Sequence, residues 1–88
     1  MTIVHVRGQL KKLADDRGEH ELPGSSVAEV LAEFERRHPA TDGWIVDERG
    51  RIRRHINVFV NGELAREATA VGPGDRIEVI PAISGGGK

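Results

Sequence analysis

The sequence has no cysteine and no tyrosine, and only one tryptophan, one methionine and two phenylalanines. Without cysteine there are no disulfides, thiolate nucleophiles, side-chain persulfides or cysteine metal sites. An excess of either charge is also missing: thirteen basic and fourteen acidic residues leave a formal charge of -1. A protein that tracks phosphates is clearly basic, so general nucleic-acid binding is disfavoured. No apolar run is long enough to span a membrane. No basic start leads into an apolar stretch of the secretory kind, so the expected compartment is the cytoplasm. The 88 residues suit one domain. Hydrophobic content is only 38%, but it is patterned rather than scattered.

Residues 2–7, TIVHVR, have the β-branched density of a first strand. Residues 9–14 are ambiguous, with Leu10 and Leu13 at helical spacing over too short a stretch. A polar turn over 15–18 leads to a second strand at 19–22, with His20 and Leu22 inward and Pro23-Gly24 stopping it. Ser26 followed by Glu29 is a capping box. Val27, Val30, Leu31 and Phe34 form one apolar stripe, with Glu29, Glu33, Glu35, Arg36 and Arg37 off it, and Pro39 closes this helix near His38. Residues 40–54 read as a polar connection with Trp44, Ile45 and Val46 tucked under it. Ile56, Val58 and Val60 alternate with Asn57 and Phe59 in the best strand of the chain. Asn61-Gly62 marks a tight hairpin. Leu64 and Val71 supply single apolar contacts across a longer loop. A Gly72-Pro73-Gly74-Asp75 turn then precedes a last strand at 76–81, with Ile77 and Val79 inward. The order predicts an α+β roll of the β-grasp kind. A mixed four- to five-stranded sheet has one main helix across it, and the first and last strands lie side by side in the centre.

Chemistry-bearing constellations are few. His5, His20, His38 and His55 are dispersed, with no metal-ligand spacing, and read as packing or surface groups. Asp15-Asp16 reads as a turn rather than an acid/base dyad, and Ser25 and Ser26 as capping residues rather than nucleophiles. The run Arg49, Arg51, Arg53, Arg54, His55 fits a solvated edge strand whose charge discourages aggregation. Protein docking is the second reading of this run, and nucleic acid is disfavoured because aromatic interleaving is missing. Gly85-Gly86-Gly87 is not a phosphate cradle, because no helix follows it. Glycine has no Cβ, so such an end can thread a narrow channel and bring a terminal carboxylate into another protein's active site.

Three segments carry a resemblance that covers nearly the whole chain. Residues 54–63, RHINVFVNGE, resemble the central strand and turn of the molybdopterin-synthase small subunit and the cysteine-biosynthesis sulfur carrier. Residues 74–86, GDRIEVIPAISGG, resemble the last strand and Gly-Gly end of these carriers, and residues 26–37 fit their single helix. On these residues the chain is similar to the ubiquitin-like sulfur carriers, the MoaD/ThiS family.

The resemblance implies a β-grasp domain over residues 1–81 and a flexible Gly-Gly tail over 82–88. It implies a protein co-substrate rather than an enzyme, with no cofactor or metal bound by this chain. An E1-like adenylyltransferase would use ATP to adenylate the terminal glycine carboxylate. A sulfurtransferase or other sulfur donor would then convert the adenylate to a thiocarboxylate. The carriers end at Gly-Gly, whereas Gly87 and Lys88 follow here. Aligning residues 81–86 on the family end makes Gly86 the reactive residue beside Gly85, and implies a metalloprotease that removes Gly87 and Lys88. In a register slipped by one, Gly87 is terminal and only Lys88 is lost. The sulfur acceptor is either a cysteine-synthase-like enzyme with pyridoxal phosphate or a molybdopterin-synthase large subunit. The Pro81-Ala82 end and the arginine-rich lead into Ile56 favour a cysteine-type or secondary-metabolite carrier. The alternatives are the molybdopterin-synthase small subunit, a ubiquitin-like covalent modifier and a plain interaction module. Expected partner contacts are Phe59, rimmed by Arg53, Arg54 and Arg66, with Pro81 and Ile83 beside the tail; Phe59 equally fits packing under the 40–54 connection.

Overall fold

In a computed structural model, which describes residues 1–81, the β-branched start forms β1 (Thr2–Val6). This strand buries Thr2, Val4 and Val6 on one face. β2 (Glu19–Leu22) buries His20 and Leu22, as their alternation predicts. β3 (Ile56–Val60), β4 (Glu63–Leu64) and β5 (Arg76–Pro81) complete a five-stranded sheet in the order β2-β1-β5-β3-β4. β1 and β5 run parallel in register Val4↔Ile77 and Val6↔Val79, and the other pairs are antiparallel. This is the expected β-grasp roll. The expectations on Ile83, Gly85, Gly86, Gly87 and Lys88 lie outside the described residues.

The main helix, α2 (Val27–Arg37), lays Val27, Val30, Leu31 and Phe34, all fully buried, into one core with Val4, Val6, Ile77 and Val79. Its cap differs in one detail from the expected box. Ser26 Oγ accepts from the Glu29 N–H at 3.2 Å, but Glu29 Oε1 takes the N–H and hydroxyl of Ser25, at 2.9 and 3.0 Å. The N–H groups of Val27 and Ala28 donate to the carbonyls of Thr69 and Glu67, so the 65–71 loop satisfies the open donors of the first turn. At the other end Arg36 and Arg37 both engage Glu33 and hold its carboxyl down to about 2. The hairpin between β3 and β4 places Asn61 at φ 51 and Gly62 at φ 89, the left-handed pair that Asn-Gly adopts most easily.

One open local reading is settled and three are corrected. The ambiguous stretch after β1 is a helix, α1 (Gly8–Leu13), entered through Gly8 at φ +60 and anchored by buried Leu10 and Ala14. Six residues cannot hold a helix alone, so this apolar pair is what sustains it. The arginine run is not an edge strand. Asp47 Oδ1 accepts from the N–H groups of Arg49 and Arg51, closing a loop bridged by Val46 and Ile52. Leu64 lies on β4 with 69% of its surface exposed, rather than packing across the loop. Ile45 and Val46 are buried as expected, but Trp44 between the glycine turn and that pair stays 41% exposed.

Glu35, off the apolar stripe, is nonetheless buried. Its Oε2 accepts from the N–H groups of Ile45 and Val46 at 2.9 and 3.0 Å, and its Oε1 from Gly43 at 3.4 Å. The carboxylate thus supplies the acceptors that a loop without sheet partners needs. His20 and His38 fall out as packing groups and His55 as a surface group. His20 stands edge-on to Phe34 and His38, with ring centres 5.2 and 4.8 Å away, and its Nε2 lies 2.8 Å from the Arg17 carbonyl. Burial, helped by His20, Arg17 and Arg37, pushes the His38 imidazole below its ordinary value. Asp15, whose Oδ2 is 3.7 Å from His38 Nδ1, opposes that shift. Asp15 and Asp16 are exposed turn residues at φ 59 and 56.

Two stability predictions follow from these contacts. Glu35→Ala should lower the unfolding free energy by about 2–4 kcal/mol, since buried donors lose a charged acceptor. Glu35→Gln should cost less, because the amide keeps one acceptor; urea unfolding followed by circular dichroism measures both. His38 takes a proton in the unfolded chain as pH falls through about 6.5, while the folded chain resists it. The stability it contributes is therefore present above that pH and lost below it. Calorimetry should show a lower melting temperature at about pH 5.5 than at about pH 7.5, and His38→Gln should flatten that difference.

Candidate functional site

β5 is the best-anchored strand, paired on both sides, and its end fixes where the chain leaves the domain. β1 pairs with it only as far as Val6↔Val79, whereas β3 accompanies it to Ile56↔Pro81. The start of β3, with Arg53, Arg54 and His55 just before it, therefore stands at the same rim as Pro81. Proline at that position has no N–H to continue a ladder, which suits a strand end.

On the sheet face away from α2, strand alternation puts Ile3 and His5 of β1, Arg76, Glu78 and Ile80 of β5, Asn57 and Phe59 of β3, and Leu64 of β4. Phe59 is half-buried, opposite Glu78 on one side and Leu64 on the other. It stands outside the core cluster that Ile45 and Val46 join, so it does not pack under the 40–54 connection. Phe59 and exposed Leu64 make an apolar pair near the open edge of the sheet. Glu78, in the middle of this face, lies 3.4 Å from Arg7 and 4.0 Å from His5 Nδ1. Arg76 reaches Glu19 on β2 at 2.8 Å.

The proposed rim is only partly assembled. Arg53 and Arg66 line one shallow recess of about 350 Å³ together with Asn57 and Leu64, next to Phe59. Arg54 is exposed nearby but does not line it, and Pro81 lies at the opposite end of β3 from Leu64. Pro81 instead shares a second recess with Trp44. The sequence reading missed Trp44 as a surface residue; the available signal was a lone tryptophan following Gly43 in an otherwise polar connection. Ser25 and Ser26 are occupied in capping. Among the described residues no group of three or more His, Cys, Asp or Glu side chains is placed to hold a metal ion, and no helix is long and apolar enough to cross a membrane.

The sequence profile of the ThiS family matches residues 4–86. Small archaeal modifier protein 1 of Haloferax volcanii is 34% identical over 62 residues, which cover 70% of this chain and 71% of that protein. The sulfur carrier protein CysO of Mycobacterium tuberculosis is 29% identical over 69 residues, 72% of this chain and 74% of that one. Among solved structures, a chain of the Amycolatopsis orientalis BexX/CysO complex superposes with a TM-score of 0.87 at 28% identity, covering 98% of this chain and all of that one.

Proposed function

Since the chain belongs to the ThiS family of small sulfur carriers and ubiquitin-like modifiers, we propose that it carries sulfur as a thiocarboxylate on the main-chain carboxyl of Gly86. The observation that carries this reading is the extent of the family match, which runs to residue 86 and so takes in Gly85 and Gly86. A metalloprotease first hydrolyses the Gly86–Gly87 bond, consuming one water and releasing Gly87-Lys88. In an E1-like partner the freed carboxylate attacks the α-phosphorus of ATP. The α–β phosphoanhydride bond breaks, pyrophosphate leaves, and the product is an acyl adenylate. A donor then delivers sulfur at the oxidation level of sulfide. The hydrosulfide pair attacks the carbonyl carbon, AMP leaves with the C–O bonding pair, and loss of one proton gives the thiocarboxylate. ATP is bound and used by the partner, and this chain supplies the carboxyl group and the surface that presents it.

The partner is proposed to dock on the face that bears Phe59 and Leu64, with Arg53, Arg54 and Arg66 steering an acidic surface. Pro81 and Ile83 then lead into the active site. Similarity to CysO supports a cysteine-type acceptor, a cysteine-synthase-like enzyme, over a molybdopterin-synthase large subunit. A second reading is favoured by the match to small archaeal modifier protein 1. In it a lysine ε-amine of a target attacks the same activated carbonyl, AMP leaves, and an isopeptide bond forms.

Intact mass of the protein recovered from its own host tests the proposal. The expected species ends at Gly86, with a fraction in which sulfur replaces one carboxyl oxygen. A chain that keeps Gly87 and Lys88 throughout while supporting ATP–pyrophosphate exchange would overturn the processing step. Recovery of the chain only as branched peptides on target lysines would favour the modifier. Gly86→Val should leave the circular dichroism unchanged and cut the rate of partner-catalysed adenylation by about 100-fold or more, because a Cβ displaces the carboxylate in a narrow channel.

A further inference from the structure

A recess of about 400 Å³ lies at the rim where β5 ends, walled by Leu10, Trp44, Ile56, Ile80 and Pro81. Its origin is topological. β1 leaves the sheet after Val6, and Gly8 at φ +60 turns the chain into α1. Ile80 and Pro81 thus run on past the end of β1. On the far side, Trp44 is held in place from behind. Its N–H donates to the Thr41 carbonyl at 2.9 Å, and the next two N–H groups are bound by the buried Glu35 carboxylate. The loop is fixed, yet its largest side chain is left 41% exposed. An exposed tryptophan on a pinned backbone loses little freedom on binding, which is how interface anchors are built.

The ionisable side chains lining the recess are basic ones. Among the described residues lining it are Arg7 and His55 and no carboxylate. Arg53 and Arg54 precede His55 in the chain, both exposed. Arg7 is partly matched by Glu78 at 3.4 Å, while His55 is open to solvent. Pro81, which forms one wall, is the last residue before the tail. Five further residues reach Gly86, a span of at most about 18 Å when extended. Whatever occupies the recess therefore stands at the base of the segment that carries the reacting terminus.

We propose that this recess docks a loop of the adenylating partner that presents an apolar side chain next to a carboxylate. The side chain packs on Trp44 and Pro81 and the carboxylate meets His55 and Arg7, so the carrier is gripped at its exit as well as on its outer sheet face. The proposal rests on the carrier reading and assigns a residue set separate from Phe59, Arg53 and Arg66.

The test uses the processed chain, ending at Gly86, and the host enzyme whose ATP–pyrophosphate exchange depends on it. Trp44→Ala and His55→Glu should each raise KM for the carrier on the order of tenfold with kcat little changed, and Trp44→Phe should keep most of the affinity. Because the chain has a single tryptophan, its emission should shift to the blue as the enzyme is titrated in. Both residues are exposed, so the variants should melt like the parent. Unchanged KM in Trp44→Ala and His55→Glu, with the parent fully active, overturns the docking site and leaves the carrier reading standing. Absence of any chain-dependent exchange removes the carrier reading and this site with it. In the isolated protein, a red shift of Trp44 emission in Ile83→Ser means the chain's own tail fills the recess. Emission that varies with protein concentration means a second copy does. Either result overturns the proposal.

Discussion

The parallel pairing of the first and last strands is the constraint from which the architecture follows. Parallel neighbours cannot be joined by a tight turn, so the chain between β1 and β5 must include a crossover. α2 is the element that crosses, and its stripe of Val27, Val30, Leu31 and Phe34 closes on Val4, Val6, Ile77 and Val79. Each of those aliphatic side chains contributes about 1.5–3 kcal/mol on full burial. Half of the sixteen residues in the buried apolar cluster meet at this one interface. With the sheet centre taken by β1 and β5, β2 and β4 become its edges. The exit of the chain is consequently tied to β5, the middle strand of the five.

What could be read from the sequence was whatever the chain encodes by local period and by turn chemistry. The α2 stripe, the alternation of β3, and the Asn61-Gly62 and Gly72–Asp75 turns each need only neighbouring residues to declare themselves, and each forms where its pattern lies. What could not be read depends on distant partners. α1 exists because Leu10 and Ala14 find the core, which six residues cannot advertise. Glu35 has the helical phase of a surface residue; only the arrival of residues 43–46 makes it an interior one. The arginine run alternates like a strand, but Asp47 gathers the backbone of Arg49 and Arg51 into a turn first. At the candidate site, Phe59 was placed on the correct face by simple alternation. Trp44 was assigned to the interior because hydropathy alone does not say which member of Trp44-Ile45-Val46 the loop turns outward.

The outer face and the exit rim differ in how their charges are used. On the outer face Glu78 collects Arg7 and His5, and Glu19 collects Arg76, so charge there is largely matched within the protein. Such exposed pairs add little stability, and their effect is to leave Phe59 and Leu64 as the unmatched, apolar feature. Beside the arginine run two acids bind backbone instead. Asp47 accepts from the N–H groups of Arg51 and Arg49, and Glu67 from its own N–H and that of Ile52, which holds both carboxyls below their ordinary values. The arginines of the same segment keep their charge outside. A chain of nearly zero net charge thus carries a basic rim where its tail begins.

Glu35 links this surface to the core. An ion-free alternative would leave the N–H groups of Ile45 and Val46 either unpaired in the interior or turned to solvent. The second outcome would release the two buried apolar side chains together with the loop. A single carboxylate from the helix avoids both by accepting from the two donors at once. Burying a charge for this purpose is costly in itself. What the carboxylate adds is a fixed position for Trp44, whose backbone lies between the Gly43 and Ile45 donors it holds. The helix that covers the sheet therefore also sets the surface at the tail exit.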